Sequence, residues 1–298
     1  MQRKQFVEEL NIVTTFQTIA LAYEQISVIK MQQIRNFVLQ TRDFLEGLSG
    51  VFYDVKSSYR NQIIALAKKN VKKRKKTKEP QVIRFSTLVK NGKSVTVLLS
   101  ANTKLYGEIV PQTVNSFMAT IAQDTSDIVI VGKLGKHIID QAMPNRAYAY
   151  FELPDDKVTF DDLKDLISHI VSYEKVTVFY GKFINVVSQA PTSTTISGEE
   201  PMNLAKKPEA QFRFIFEPNL EKILNFFETQ IFTSLFQQTI QESQLARHAS
   251  RIRAMEQALS NINPTIRELN SLKRRSKQSL MNKKQIELLA GISLWNKP

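Results

Sequence analysis

The sequence predicts an α/β protein in which a Rossmann-like domain is inserted between N- and C-terminal helices that pair as a long antiparallel coiled coil. Three observations predict it. Glycine is scarce, nine in 298 residues, which favours long helices over turn-rich β structure. Apolar residues recur at three- and four-residue spacing at both ends of the chain. Between those ends, short β-branched runs alternate with helical patterns, which implies βαβ units and a largely parallel sheet.

Residues 1–67 contain no proline and no glycine before Gly47. Their apolar positions Ile12, Phe16, Ile19, Tyr23 and Ile26, then Ile34, Phe37, Thr41, Phe44 and Leu48, outline a narrow helical seam with a stutter at Lys30. Residues 68–80 form a basic linker. Residues 81–217 make the α/β domain, with strands at Ser94–Leu99, Asp127–Val131, Tyr148–Leu153, Lys175–Tyr180 and Phe212–Phe216. Helices are expected at Pro111–Ala122 and Phe160–Ser172, and a loop over the Pro-, Ser- and Thr-rich stretch Ala190–Pro208. Residues 218–298 form the second long helix, capped by Asn219. Its seam runs through Leu220, Leu224, Phe227 and Ile231, then Leu245, Ala249, Ile252, Met255, Leu259, Ile262, Ile266 and Leu269. Pro264 sits inside this pattern and should kink it at a cost of about 3 kcal/mol. Unbroken, such a helix would extend roughly 110 Å, so the pair should form a rod.

Composition narrows the function. The absence of cysteine removes disulfides, thiolate metal sites and cysteine nucleophiles together. No uninterrupted run of about 18 apolar residues occurs, so no direct membrane insertion is expected. Glu8 and Glu9 near the start are unlike a signal or transit peptide, which points to a cytoplasmic protein. Of the net charge of +13, Lys68, Lys69, Lys72, Lys73, Arg74, Lys75, Lys76 and Lys78 supply more than half, the pattern of a solvated linker. With no aromatics among these cations no nucleic acid is expected. A basic nucleic-acid-binding α/β protein with dimerising helical arms is nevertheless the second reading.

Chemistry is hard to find. His137, His169 and His248 stand apart without metal-ligand spacing. Gly132-Lys133-Leu134-Gly135 follows a strand and opens a helix, but fits neither phosphate-binding glycine pattern and reads as a tight turn. Ser100 lacks a nucleophile elbow. Asp155, Asp156, Asp161 and Asp162 form an acidic patch around a helix start, where carboxylates suit the helix dipole. The chain therefore reads as non-catalytic, without cofactor or metal.

Several ordered motifs carry a resemblance. Val176 to Ile196, VTVFYGKFINVVSQAPTSTTI, holds a strand, then Lys182-Phe183-Ile184-Asn185, then Ser188-Gln189 and Pro191. Ala249 to Asn261 reads ASRIRAMEQALSN, and Glu287-Leu288-Leu289-Ala290-Gly291 follows. Together with Thr96 to Gly107 and Phe216-Glu217-Pro218, these stretches resemble the gamma subunit of the F-type ATP synthase over essentially the whole chain, as a divergent member or F-type-like paralogue. Tyr23 replaces a family methionine, Asn102-Thr103-Lys104 replaces Asp-Arg-Gly, and Lys277, Asn282 and Lys284 replace arginine, threonine and glutamate, while Gln278 is retained. Lysine cannot reproduce arginine's bidentate fork, so these changes imply altered rotor–stator hydrogen bonds.

The resemblance implies a central-stalk rotor. Its partners would be the alpha and beta subunits of the head, the epsilon subunit and the ring of membrane c subunits. The complex would sit peripherally on the cytoplasmic side of a cell membrane and couple ion (proton) transport to ATP synthesis or hydrolysis. Rotor–stator contact falls by resemblance on Tyr23, Lys30, Arg251, Met255, Lys277, Gln278, Asn282, Lys284 and Glu287. The axle tip falls on Leu288, Leu289, Ile292, Leu294 and Trp295, behind a collar of Arg274, Arg275, Lys277, Lys283 and Lys284.

Overall fold

The computed structural model describes residues 2–59, 90–196, 217 and 219–295, with side chains described over 5–55, 59, 90–196, 217 and 219–289. The basic segment Lys68–Lys78, the expected strand Phe212–Phe216 and the end of the expected loop, 197–208, lie outside the described residues. The chain forms two compact units, Met1–Ile29 with Arg251–Pro298, and Lys30–Ser250. Helix α1 (Gln2–Ser58) and helix α5 (Leu220–Trp295) each contribute to both.

The larger unit is built on a five-stranded sheet. Strands β1 (Ser94–Leu99), β2 (Asp127–Val131), β3 (Ala149–Phe151) and β4 (Lys175–Phe183) are parallel, in the order β3-β2-β1-β4. Strand β5 (Gln189–Ile196) pairs antiparallel with β4 and is the edge strand among the described residues, so the sheet is mixed. This corrects the loop expected from Ala190. Pro191 lacks an N–H donor and is tolerated because β5 is an edge strand. Two other boundaries move: β3 is shorter than Tyr148–Leu153, and β4 runs on to Phe183.

Helices cover both faces. On one, Leu163, Leu166 and Ile170 of α4 (Phe160–Ile170) and Phe232, Phe236 and Ile240 of α5 pack on Val95, Val97, Val129 and Val178. On the other, Val114, Phe117 and Ile121 of α2 (Ile109–Ile121), with Ile139 of α3 (Lys133–Ala142), pack on Leu98, Ile128, Ile130 and Phe179. Thr159 and Asp162 form a reciprocal capping box that starts α4. The side-chain and backbone hydrogen bonds from Thr159 hold the Asp162 carboxyl below its usual range. Asn219 caps α5 as expected, accepting from the Lys222 N–H at 2.9 Å.

Within each unit α1 and α5 run antiparallel. In the larger unit Phe52 stacks on Phe227 at 5.5 Å, and Gln241 donates to Thr41 at 3.1 Å. In the smaller, Tyr23 meets Arg251 and Gln17 donates to Asn263 at 2.8 Å. Helix α5 continues through Pro264 as one element.

The α1 seam includes Ile34 and Thr41 as expected but otherwise differs from the expected one. Ala20 and Ser27 in the smaller unit, and Ile34, Thr41 and Val55 in the larger, are buried and fall on one seven-residue series. Leu10 and Phe52 fall on its companion series. No stutter at Lys30 interrupts either. Ile12, Phe16, Ile19, Ile26, Phe37 and Phe44 are exposed instead. They form a stripe one position away from the seam, which mixes Leu10, Ile34, Phe52 and Val55 with the small or polar Ala20, Ser27 and Thr41.

That exposed stripe makes α1 apolar enough, by length and composition, to cross a membrane: an 18-residue window reaches a mean hydropathy of 1.2, with only 11% buried. The expectation of no such helix rested on unbroken apolar runs. In α1 the apolar residues are interleaved with polar ones.

Candidate functional site

At the C-terminal edge of the sheet, where parallel α/β proteins bind ligands, side chains of the protein itself occupy the crevice. The first turn of α3 is a potential anion cradle, but its N–H groups are taken. The Lys133 N–H donates to Asn102 Oδ1 at 3.0 Å, the Leu134 N–H to the Ala101 carbonyl at 2.8 Å, and the Gly135 N–H to Ser100 Oγ at 2.7 Å. The tight-turn reading of Gly132–Gly135 therefore describes the geometry. Gly132 has φ +99°, and a Cβ there would lie 2.9 Å from the Ala101 backbone nitrogen. The remaining cavity, lined by Ser100, Gly132, Asp155, Ser243 and Arg247, is about 20 Å³, room for one water.

The acidic patch divides in two. Asp161 and Asp162 sit in the first turn of α4. Asp155 instead forms a buried ion pair with Arg247 at 2.9 Å, and Asp156 pairs with Lys30 at 3.1 Å, with His248 Nε2 4.0 Å away. His248 is buried rather than superficial, edge-on to Tyr106. His137 lies near Gln141, and His169 between the rings of Phe151 and Tyr173. Among the described residues no group of three His, Asp or Glu side chains is placed to hold a metal.

The residues expected to meet a stator separate into engaged and open sets. In the smaller unit, Arg251 is buried with its guanidinium 5.3 Å from the Tyr23 ring centre, and Met255 is buried nearby in the α5 seam. This arrangement is a cation–π contact that holds α1 to α5. In the larger unit, Lys30 is engaged with Asp156. Farther along α5, every described side chain from Lys277 through Leu289 is exposed, including Gln278, Asn282, Lys284 and Glu287. Leu288 and Leu289 are 69% and 66% exposed. The side chains of Ile292, Leu294 and Trp295 lie outside the described residues.

A family model described as ATP synthase matches residues 3–293, through both long helices and the sheet between them. The chain belongs to the ATP synthase gamma family. The ATP synthase gamma chain of Rickettsia felis is 22% identical over 300 residues, covering 97% of each chain. That of Staphylococcus aureus strain JH9 is 24% identical over 177 residues, 57% of this chain and 61% of the relative. Among solved structures, the rotor of Euglena gracilis mitochondrial ATP synthase aligns with a TM-score of 0.57 at 13% identity, covering 94% of this chain and 99% of that one. The central stalk and c-ring assembly of Tetrahymena thermophila mitochondrial ATP synthase contributes a chain with a TM-score of 0.53 at 18% identity, covering 80% of this chain and 99% of its own.

Sequence reasoning missed Arg247, Gln244 and Thr103, which reach the acidic patch from elsewhere in the sequence. No local signal marks them, because Arg247 lies 92 residues from Asp155 in the sequence.

Proposed function

We propose that this central-stalk rotor subunit transmits torque between a membrane ring driven by ion flow and a head of alpha and beta subunits in which ATP is made or hydrolysed. The chain itself is a non-catalytic component of the complex. The observation that carries this reading is the family match over residues 3–293, which takes in both helices whose antiparallel pairing recurs in each compact unit. The exposed apolar stripe on α1 and the exposed Leu288 and Leu289 are surfaces that a surrounding collar of subunits would cover.

Such a shaft couples by shape. Each catalytic subunit is biased between conformations of different nucleotide affinity by the face it meets, and the coupling energy is the difference in contact free energy between rotary positions. On this reading Lys277, Gln278, Asn282, Lys284 and Glu287 meet the stator directly. Tyr23, Lys30, Arg251 and Met255 are assigned to rotor–stator contact as well, and within the smaller unit the Tyr23–Arg251 contact also ties α1 to α5. Leu288, Leu289, Ile292, Leu294 and Trp295 form the axle tip. The epsilon subunit and the c ring are the partners of the α/β domain's end. Residues 1–67 and 218–298 serve as shaft, 81–217 as the inserted domain, and 68–80 as linker. The complex is membrane-associated, and the bacterial relatives favour the cytoplasmic side of a cell membrane.

The test is reconstitution of the full chain with alpha and beta subunits, beside a chain ending at Gln285. The full chain should co-purify with the subunits and support rotation-coupled hydrolysis. The truncated one should lose assembly or torque while the thermal transition of the α/β domain stays in place. Unchanged coupling after truncation refutes the tip assignment. Salt-dependent nucleic-acid binding without subunit association refutes the rotor reading.

A further inference from the structure

Two consecutive residues in the turn after β3 collect an unusual number of bonds. Asp155 Oδ1 accepts from Arg247 Nη1 and from the Asn102 N–H, both at 2.9 Å. Its Oδ2 accepts from the Thr103 N–H at 2.8 Å and the Thr103 hydroxyl at 2.9 Å. Arg247 Nη1 donates onward to the Ser100 carbonyl at 2.9 Å. One turn earlier on α5, Gln244 Nε2 donates to the carbonyls of Asp155 and Asp156 at 3.2 and 2.7 Å. Asp156 also receives Lys30 from α1. The turn thus ties the ends of β1 and β3 to α5 and α1.

The chemistry of this cluster differs from that of the surrounding core. The Arg247 and Asp155 side chains are only 7% and 12% exposed. A buried ion pair adds little net stability compared with apolar residues of similar volume, and its best-attested use is to specify geometry. Apolar contacts such as Phe232 and Phe236 on the sheet are non-directional and fix the angular setting of a helix less sharply than aligned hydrogen bonds do. Hydrogen bonds weaken steeply once misaligned. Gln244, Arg247 and His248 all leave α5 on one side, so together they resist such turning. At Gly181 on β4 the backbone packs closely: an added Cβ would lie 2.6 Å from Ile109 and 3.5 Å from the Ala246 Cβ of α5.

We propose that the Asp155-Asp156 turn is the joint by which the α/β sheet grips α5 against rotation about its axis, with Arg247 and Asp155 as positioning residues for torque transfer. The torque role rests on the rotor reading above. The joint itself rests on the geometry alone.

The test uses Arg247→Met, Asp155→Asn and the double variant in the full chain, alone and in the reconstituted membrane complex. In the isolated chain, both single variants should speed amide exchange at Asn102, Thr103 and residues 242–250. Unchanged exchange refutes the joint. In the complex, ATP-driven pumping per ATP hydrolysed, followed for protons and for sodium, should fall by roughly threefold or more. The double variant leaves no unpaired buried charge, so its thermal midpoint should return to within about 2 °C of wild type. Its pumping ratio should stay low, and Arg247→Lys should recover part of it. If the double variant restores the ratio together with stability, or if pumping and hydrolysis fall in equal proportion, the torque role is refuted. If the wild-type chain does not assemble with its subunits, the rotor reading fails and takes the torque role with it, while the exchange measurement still decides the joint.

Discussion

Phe52→Ala, set beside Phe44→Ala, tests which face of α1 meets α5 in the larger unit. Phe52 is 0% exposed, packs with Val55, Leu224 and Ile231, and stacks on Phe227 with ring centres 5.5 Å apart. A buried aromatic side chain covers about 150–250 Å², and at about 25 cal/mol per Å² the loss of some 130 Å² costs about 3 kcal/mol. The ring contact adds about 0.5–1.5 kcal/mol, which places the total at about 3–5 kcal/mol, the usual range for such truncations. Phe44 is 49% exposed, so its truncation should cost under about 1 kcal/mol. Urea unfolding followed by helical circular dichroism gives the stability change, with amide exchange over residues 40–55 to localise it. A Phe52→Ala, Phe227→Ala cycle should show coupling of about 0.5–1.5 kcal/mol. If Phe44→Ala costs as much as Phe52→Ala, or the cycle is additive, the more apolar stripe faces α5 and the seam described above is wrong.

Gly132→Ala should destabilise the larger unit by about 2–4 kcal/mol, because the residue stands at φ +99° and the new Cβ meets the Ala101 backbone at 2.9 Å. Thermal unfolding reads the effect directly, and a neutral result refutes the close approach of these two turns. The Tyr148 phenol, held protonated first by its hydrogen bond to Asp140, is pushed up to about 12. Its contribution to stability is therefore complete below about pH 10 and is lost as pH rises toward 12. Ultraviolet titration should show one late phenolate that Tyr148→Phe removes, and a titration unaffected by that substitution refutes the assignment.

Much of the sheet was legible because β-branched runs such as Val95–Leu99 and Ile128–Val131 are buried on both faces and read as strands on any count. Strand β5 was not, since Pro191 and its Ser and Thr neighbours look like a loop until β4 supplies a pairing partner. The α1 seam was right at Ile34, Thr41 and Leu48 but misplaced by one residue at Ile12, Phe16, Ile19, Ile26, Phe37 and Phe44, for a related reason. Apolarity favours Ile12, Phe16 and Ile19, whereas burial favours Leu10, Ala20 and Ser27. The sequence carries two adjacent heptad stripes, and only the position of α5 tells which is inside. The run from Lys277 to Leu289 was singled out by resemblance alone, and its exposure was not foreseen. The Asp155 cluster was not legible either, because Arg247 lies 92 residues away and nothing local links them.

The β1 and β2 turns have a pharmacological consequence. Ser100, Ala101 and Asn102 fill the space where a related sheet would seat a cofactor, and Arg247 seals it from the other side. A small molecule finds no foothold at that edge. On the rotor reading proposed above, compounds aimed at this chain would act as wedges that compete with neighbouring proteins for its flanks, and resistance would arise in either member of the touching pair.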